Sequence, residues 1–241
     1  MAEALLCLAG VNTHIGQYHI LQGVDFEVPR GSLTMLLGRN GAGKTTCLRT
    51  VMGLWRASAG SIRFDGKDVT RLPTPDLARL GIAYVPENMG IFAGLTVREN
   101  LLLAAREKAL DEKRLEWIFV LFPAMKTFWH GLAGTLSGGQ KQMLAISRAI
   151  VEPRRLLLVD EPTKGLAPAI IANMIEAFKE LKRTDTTILV VEQNFHFARS
   201  LGDSVAVMDS GRIVHTGAMA ALAADAALQT RLLGLSLEAR P

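Results

Sequence analysis

The stretch GRNGAGKT (38–45) governs the interpretation of this 241-residue chain. It fits the phosphate-loop pattern G-x-x-x-x-G-K-[ST], in which backbone N–H groups surround a polyphosphate. The apolar run LTMLL (33–37) precedes the loop and helical spacing follows it at 44–55, so the strand–loop–helix context that such a loop requires is present. The pattern predicts nucleotide contacts from Gly38, Arg39, Asn40, Gly41, Ala42, Gly43, Lys44, Thr45 and Thr46.

Two side chains of this loop and two later carboxylates indicate phosphate chemistry. Lys44 is placed to reach the terminal phosphates, and the Thr45 hydroxyl is suited to ligate Mg²⁺. Asp160 and Glu161 follow four apolar residues, 156–159. A buried strand that ends in two carboxylates places them at the carboxyl edge of the sheet, beside the phosphate loop. By itself, an Asp-Glu pair is also typical of a solvated turn.

A second short block, LSGGQ (136–140), stands where a helix is expected to begin. The N–H groups of Ser137, Gly138 and Gly139 and the dipole of that helix would then point at an anion. The plain alternative is an ordinary glycine-containing helix start. A phosphate loop alone indicates only a nucleotide-binding protein that acts on phosphate. This block together with the loop indicates a narrower class of such proteins.

Composition favours one large domain, or one domain with an insert. Hydrophobic residues make up 49% of the chain, and the net charge of +4 is scattered, so no nucleic-acid partner is expected. Residues 4–24 lack full charges but contain polar side chains that a membrane-spanning helix tolerates poorly. We expect a chain that is soluble when isolated. Cys7 and Cys47 lack metal-ligand spacing and are expected to be buried, reduced thiols.

Strand and helix patterns alternate along the chain. Strands are expected at 4–9, 20–28, 33–37, 82–85, 156–159, 186–192, 204–208 and 212–216, with a hairpin at 61–69 around Asp65-Gly66. Helical spacing dominates from about residue 96 to 152, where Thr96 and Glu99 form a capping-box pattern, and returns at 168–183 and in an Ala-rich tail. This order predicts an α/β fold with a mostly parallel core sheet, an antiparallel β layer and a helical insert.

Four segments carry a resemblance to one family: PENMGIFAGLTVRENL (86–101), AGTLSGGQKQMLAISRA (133–149), LLLVDEPTKGLAP (156–168) and VVEQN (190–194). Together with the phosphate loop, they resemble the ATPase subunits of ATP-binding-cassette (ABC) transporters. The likeness runs from Leu5 to about Leu233. Within the family, the segments are similar to the ATPases of bacterial importers for branched-chain amino acids, and to those of the related urea or amide importers.

The resemblance implies a P-loop NTPase fold, with a RecA-like ATP-binding core at 1–87 and 153–241 and a helical signature subdomain at 88–152. It implies ATP and Mg²⁺ as cofactors. Asp160 would hold Mg²⁺ through water, and Glu161 would polarise the attacking water while Lys44 and the metal neutralise charge on the γ-phosphate. Ser137, Gly138, Gly139 and Gln140 would act in trans, on ATP held by a second ATPase subunit.

The implied assembly adds two membrane permease subunits and an extracytoplasmic solute-binding protein, with this chain on the cytoplasmic face of the membrane. The segment around 87–100 would receive the permeases, and its apolar residues Met89, Ile91, Phe92 and Leu95 suit such a groove. The three tryptophans fall in helical apolar contexts and are expected in the core: Trp55, Trp117 and Trp129.

Four positions depart from the general ABC pattern. Glu87 replaces a Gln near the metal, Ile15 replaces the aromatic residue that stacks on adenine, Ala167 replaces an Asp in the loop after the two carboxylates, and Gln193 replaces the switch His. A glutamine can donate a hydrogen bond to phosphate but cannot carry a positive charge. These departures, beside an undamaged LSGGQ, predict a weak ATP site on this subunit and an unlike partner whose site it completes.

Two substitutes for the missing groups are considered. Tyr18 is close enough in sequence to stack on adenine in place of Ile15, or it simply packs against the protein. His196 lies three residues after Gln193 and is either a stand-in for the switch residue or a residue of the helix-like stretch FHFAR.

Three other functional classes stay open at this point. A soluble ABC ATPase acting on DNA or ribosomes is disfavoured because Lys44 and Ser137 are only 93 residues apart, too few for a long coiled coil, and because the chain has one cassette. A non-enzymatic nucleotide sensor fits the altered switch position but not the intact Lys44 and Glu161. A small-molecule kinase would have no use for LSGGQ.

Overall fold

The computed structural model describes residues 3–106 and 109–234. The strands, in chain order, are β1 (Ala4–Ile15), β2 (Tyr18–Pro29), β3 (Leu33–Leu37), β4 (Ala57–Phe64), β5 (Lys67–Asp68), β6 (Ile82–Val85), β7 (Leu156–Asp160), β8 (Thr187–Glu192), β9 (Ser204–Asp209) and β10 (Arg212–Ala218). The helices are α1 (Lys44–Val51), α2 (Thr74–Arg79), α3 (Val97–Ala104), α4 (Glu112–Leu121), α5 (Pro123–Thr127), α6 (Gly138–Ile150), α7 (Pro168–Lys182), α8 (Phe195–Leu201), α9 (Met219–Ala224) and α10 (Ala226–Leu233).

The core is a six-stranded sheet in the order β10-β9-β3-β8-β7-β6. Strands β9, β3, β8, β7 and β6 are parallel, and β10 is antiparallel to β9. The sheet has helices on one face and the antiparallel layer with α1 on the other. Met35 and Val159 pack into the cluster that includes α3, α6 and α7, whereas Leu36 and Leu158 pack into the opposite cluster. Strands buried on both faces explain the continuous apolar runs of the sequence.

The carboxyl ends of β3, β7 and β8 meet at one edge of this sheet. Leu37 pairs with Glu192, and Asp160 pairs with Val191. The loop after β3, the carboxylates at the end of β7 and the residue after β8 therefore lie side by side. This register, rather than any local pattern, assembles the site described below.

The antiparallel layer is a four-stranded sheet in the order β2-β1-β4-β5. The sequence ended the first strand at residue 9, but β1 continues to Ile15. Gly10 has φ of 59° and lies where the register between β1 and β2 shifts, so it marks a bulge and not an end. The hairpin at Asp65-Gly66 is confirmed, with both residues at positive φ, as tight hairpin turns require.

The helical region begins where the helical spacing of the sequence begins, at Thr96. Residues 88–96 contain no helix, and α3 starts after Thr96. The predicted capping box is confirmed: the Thr96 hydroxyl accepts from the Glu99 N–H and the Glu99 carboxylate accepts from the Thr96 N–H. Helix α2 was not expected, because six residues are too short to show a period. The division into a core (1–87 and 153–241) and a helical subdomain (88–152) stays a prediction.

Three smaller expectations receive different outcomes. Cys47 is buried, but Cys7 is only half-buried, because it lies on the sheet face where its thiol reaches Glu27. Trp117 and Trp129 pack against the main apolar cluster as partly exposed residues, and Trp55 is also partly exposed. Across the described part of the chain, no helix combines the length and apolar character that a membrane span needs.

Candidate functional site

The phosphate loop is held against strand β9 by close backbone contact. A Cβ atom at Gly38 would lie 2.2 Å from the carbonyl oxygen of Met208, so only glycine fits there. Gly43 caps α1 at φ of 106°. The Lys44 side chain is 4% exposed, and its Nζ donates to the carbonyl oxygens of Gly38 (2.9 Å) and Arg39 (3.1 Å). Burial lowers the pKa of Lys44, opposed by the nearby carboxylates, chiefly Glu161.

Asp160 is fully buried at the end of β7, and both of its carboxylate oxygens accept hydrogen bonds. Thr45 Oγ1 donates to Oδ1 over 3.0 Å, and the Tyr84 hydroxyl donates to Oδ2 over 3.0 Å. Burial raises the pKa of Asp160, and these two hydrogen bonds oppose the shift. A hydroxyl and a carboxylate oxygen side by side are ligands that Mg²⁺ prefers, so the residues present fit that ion.

Glu161 is strained and tightly surrounded. Its backbone φ is 47°, in the left-handed region that non-glycine residues seldom adopt. The Gln193 amide donates to Glu161 Oε1 over 2.5 Å and to Asn40 Oδ1 over 2.6 Å, and Lys44 Nζ lies 3.7 Å from the same Oε1. Gln193 thus connects the phosphate loop to the carboxylate. Because Gln193 and Lys44 hold the Glu161 side chain, its carboxylate is oriented before any ligand binds.

Lys164 is a charged residue of the site that the sequence analysis missed. Its Nζ lies 2.5 Å from Glu87 Oε1 and 3.6 Å from Glu161 Oε2. The hydrogen bond to Glu87 is the main reason why the pKa of Lys164 is raised. The sequence did offer a signal for Lys164, because it lies three residues after Glu161 and a turn brings residues i and i+3 together. Lys164 supplies a positive charge beside the carboxylate of Glu87.

Lys44, Thr45, Glu87, Glu161 and Lys164 share one cavity of about 330 Å³, whereas the buried Asp160 does not line it. Its lining consists of Ile20, Asn40, Gly41, Gly43, Lys44, Thr45, Thr46, Glu87, Glu161 and Lys164. Ile20 is a second lining residue that sequence reasoning did not select. Arg39 and Gln193 instead line a neighbouring cavity of about 200 Å³, together with Leu233 from the end of α10.

The LSGGQ block lies outside this cavity and begins α6 as predicted. Ser137 is the N-cap, with its hydroxyl accepting from the Gln140 N–H and the Gln140 side chain accepting from the Ser137 N–H. A Cβ at Gly139 would lie 2.8 Å from Ile170, so α6 and α7 approach closely there. The block therefore forms a capped helix N-terminus, and none of its residues lines the cavity of the phosphate loop.

The candidate adenine contacts stand apart from the phosphate cavity. Ile15 pairs with Tyr18 at the tip of the β1–β2 hairpin, and Tyr18 is 65% exposed. Neither lines the cavity, and their roles stay predictions. His196 is exposed on α8 beside Arg199, and Ala167 is an exposed N-cap of α7. The structure places His196 on a helix surface and outside the described cavities.

Comparisons with known proteins agree with this arrangement. Residues 21–164 match the family model described as ABC transporter. The chain is 40% identical over 232 residues to the high-affinity branched-chain amino acid transport ATP-binding protein BraG of Pseudomonas aeruginosa, covering 95% of this chain and 100% of that protein.

Two proteins of Archaeoglobus fulgidus, both described as probable branched-chain amino acid transport ATP-binding proteins, are also similar. LivF is 37% identical over 86% of this chain and 89% of its own, and LivG is 34% identical over 82% of each. A crystal structure of a nucleotide-free ATP-binding cassette from an ABC transporter superposes with a TM-score of 0.80 at 25% identity, over 94% of this chain and 97% of that chain. The chain belongs to the ABC transporter family and is an ATPase subunit whose ATP hydrolysis drives transport.

Proposed function

We propose that this subunit powers the import of branched-chain amino acids. The similarity to BraG over 95% of the chain carries the proposal, because it spans both the ATP site and the helical region. A urea or amide importer is the alternative. In either case the cargo is selected by the permeases and by an extracytoplasmic solute-binding protein, and this subunit lies on the cytoplasmic face of the membrane.

The chemistry assigned to the site is in-line hydrolysis of the γ-phosphate. Thr45 and Asp160 would hold Mg²⁺, which supplies charge neutralisation at the phosphates when bound. Lys44 neutralises the terminal phosphates, and Glu161 accepts a hydrogen bond from the attacking water. Gln193 positions Glu161, with which it already shares a hydrogen bond of 2.5 Å. The roles of Arg39, Asn40, Gly41, Ala42, Gly43 and Thr46 are contacts to phosphate through the loop.

We also infer that the functional ATPase is a pair of unlike subunits. No residue of the LSGGQ block lines the cavity of this chain's own phosphate loop, which suits action in trans. Gln193 carries no charge, so this subunit's own site lacks the charged switch group that is typical of the family. Ala167 offers no carboxylate to reach across the pair. The pairing of Glu87 with Lys164 offsets the third departure, because it neutralises the extra negative charge. Similarity to both LivF and LivG of one organism fits two related ATPases.

A groove beside β6 is the proposed seat of a permease segment. It has a volume of about 600 Å³, and Leu54, Trp55, Tyr84 and Asn88 are among its lining residues. Leu54 is 51% exposed there. Met89 and Ile91, which the sequence assigned to this contact, pack against the main apolar cluster, while Phe92 is exposed under the guanidinium of Arg148. The proposed contact with a permease segment therefore lies nearer to Leu54 and Trp55 than to Met89 and Ile91.

The pairing proposal is tested by the molar mass of the Glu161→Gln variant, measured by light scattering with and without MgATP. This substitution keeps binding and blocks hydrolysis, so a closed pair is trapped. A mass that stays monomeric despite ATP binding supports an unlike partner. A doubled mass would show that the chain pairs with itself and would contradict the inference.

Transport is tested by deleting the gene in the source organism and measuring uptake of labelled leucine and urea. We expect leucine uptake to fall and to be restored by the wild-type chain but not by Glu161→Gln. Loss of urea uptake with normal leucine uptake would establish the alternative.

A further inference from the structure

Tyr84 belongs both to the metal-binding part of the ATP site and to the groove beside β6. Its hydroxyl donates to Asp160 Oδ2 over 3.0 Å. Its ring lines the groove together with Leu54 and Trp55. Among the described residues, the side chains bonded to the Asp160 carboxylate are those of Thr45 and Tyr84, and Tyr84 is the one that also lines the groove.

The position of Tyr84 follows from strand register. Tyr84 pairs with Leu158 in the parallel β6–β7 ladder, two residues before Asp160. Its half-buried ring packs on the same cluster as Leu158. The long phenol then spans the distance to the end of β7, where the hydroxyl meets the carboxylate. A rigid ring whose two ends touch different sites is suited to relay a displacement between them.

The Asp160 carboxylate depends on these bonds. It is fully buried, and a buried carboxylate oxygen without a partner is costly. Thr45 holds Oδ1 and Tyr84 holds Oδ2, so the plane of the carboxylate is set from two sides. Because hydrogen bonds weaken steeply as the angle and distance depart from ideal, a small tilt of the ring changes the orientation of Asp160.

We propose that Tyr84 is a positioning residue that orients Asp160 toward the metal and transmits occupation of the groove by a permease segment to the ATP site. The transmission step rests on the proposed function, whereas the positioning step does not. A segment that fills the groove presses on the ring beside Leu54 and Trp55. The tilt of the ring moves its hydroxyl relative to Asp160, and the affinity of the site for the metal ion changes.

The positioning step is tested with Tyr84→Phe, which removes the hydroxyl and keeps the ring. Binding of Mn²⁺, the spectroscopic substitute for Mg²⁺, is measured by electron paramagnetic resonance with a non-hydrolysable ATP analogue present. We expect the Mn²⁺ affinity to fall roughly tenfold, since one oxygen of a buried carboxylate loses its partner. Affinity for the analogue without metal should stay unchanged, and the unfolding midpoint checks that the fold persists. Wild-type Mn²⁺ affinity in Tyr84→Phe would overturn the positioning step.

Leu54→Ala is the matched control, because Leu54 lines the same groove without touching Asp160. It should leave Mn²⁺ affinity unchanged. Equal loss of Mn²⁺ affinity in both variants would mean that the groove, and not the hydroxyl, is responsible, and would overturn the positioning step as well.

The transmission step is tested in the complete transporter, by comparing the ATPase rate of the complex with that of the isolated chain. Tyr84→Phe should reduce the stimulation of kcat by the permeases. Stimulation equal to that of wild type would overturn the transmission step while leaving the proposed function in place. A wild-type chain that neither co-purifies with permeases nor responds to them would overturn both the proposed function and the transmission step, and the Mn²⁺ result would still stand.

Discussion

At the scale of the residue, Glu161 is surrounded by more polar groups than its motif suggests. Gln193 donates to it, and Lys44 and Lys164 lie within 3.7 Å. The switch position therefore holds the carboxylate in place even though it carries no charge. Lys164 changes the electrostatic balance, because it pairs with the carboxylate that Glu87 adds. The site is less negative than the sequence departures alone indicate.

Lys164→Met should raise the KM for ATP by roughly two- to fivefold, because Glu87 is then left unpaired near the phosphates. The modest size reflects the exposure of the pair. Steady-state ATPase assays of the wild type, Lys164→Met and Lys164→Arg measure it, with the arginine expected to restore the KM. Lys179→Met is the control, because Lys179 of α7 pairs with Glu176 and lines neither the phosphate cavity nor its neighbour.

The double variant Glu87→Gln with Lys164→Met should have a KM near that of wild type, since both charges are gone. If Lys164→Met alone leaves KM unchanged, the cation has no influence on nucleotide binding and this interpretation is wrong.

The two cysteines should react differently with thiol reagents. Cys47 is fully buried, and burial raises its pKa to about 12, so its thiol stays protonated and inaccessible. Cys7 is partly exposed, although burial and Glu27 also raise its pKa. We expect one thiol to be modified in the native protein, faster as the pH rises, and a second only on unfolding. Two equally reactive native thiols would contradict the placement of Cys47.

At the scale of the element, the phosphate loop depends on a strand that is distant in sequence. The loop follows β3, and Gly38 touches the backbone at Met208 of β9, which pairs with β3. The loop conformation is thus set by the sheet and not only by its own glycines. The LSGGQ helix is different, because its capping box is built from neighbours three residues apart.

Gly38→Ala should therefore lower the free energy of unfolding more than Gly31→Ala does. Gly31 has φ of 69° and open space around its Cβ position, so its loss is limited to the backbone strain of about 1–2 kcal/mol. A Cβ at Gly38 additionally meets a backbone oxygen that cannot move away. Urea unfolding of both variants measures the difference, and nucleotide binding should be lost only in Gly38→Ala. Equal destabilisation would show that the loop can shift away from β9.

At the scale of the whole molecule, one carboxylate connects the two sheets. Asp65, in the β4–β5 turn, pairs with Arg30 after β2 over 2.5 Å and with Arg155 before β7 over 2.7 Å. The hydrogen bond from Arg155, followed by that from Arg30, lowers the pKa of Asp65 to about 2 from its ordinary value of 3.8. The antiparallel layer is thereby joined to the parallel sheet at the surface.

Asp65→Asn should lower the free energy of unfolding at neutral pH, because it removes the carboxylate that pairs with Arg30 and Arg155. Asparagine also tolerates the backbone conformation of this turn. Because the pKa of Asp65 is lower in the folded chain than in the unfolded chain, its contribution is complete above about pH 4 and is lost as the pH falls toward 2. The gap between the urea midpoints of wild type and variant should shrink across that window. A gap that is independent of pH would exclude this carboxylate as its source.

The class of fold and the phosphate chemistry can be inferred from the amino-acid sequence, because those depend on residues close together in the chain. The strand–loop–helix order, the apolar runs of β3, β7 and β8, and the capping boxes at Thr96 and Ser137 are all local. The first strand was misread because a glycine at a bulge has the same letter as a glycine at an end.

Tertiary structure alone decided which groups surround the carboxylates. The hydrogen bond from Lys164 to Glu87 joins residues 77 positions apart, and that from Tyr84 to Asp160 joins residues 76 apart. Gln193 reaches Asn40 across 153 positions. Such contacts arise only when parallel strands align their carboxyl ends at one edge of the sheet. No local sequence pattern predicts the order of those strands. The motifs of the chain therefore predict an ATP site. The charge balance of that site and its contact with the groove depend on the folded sheet.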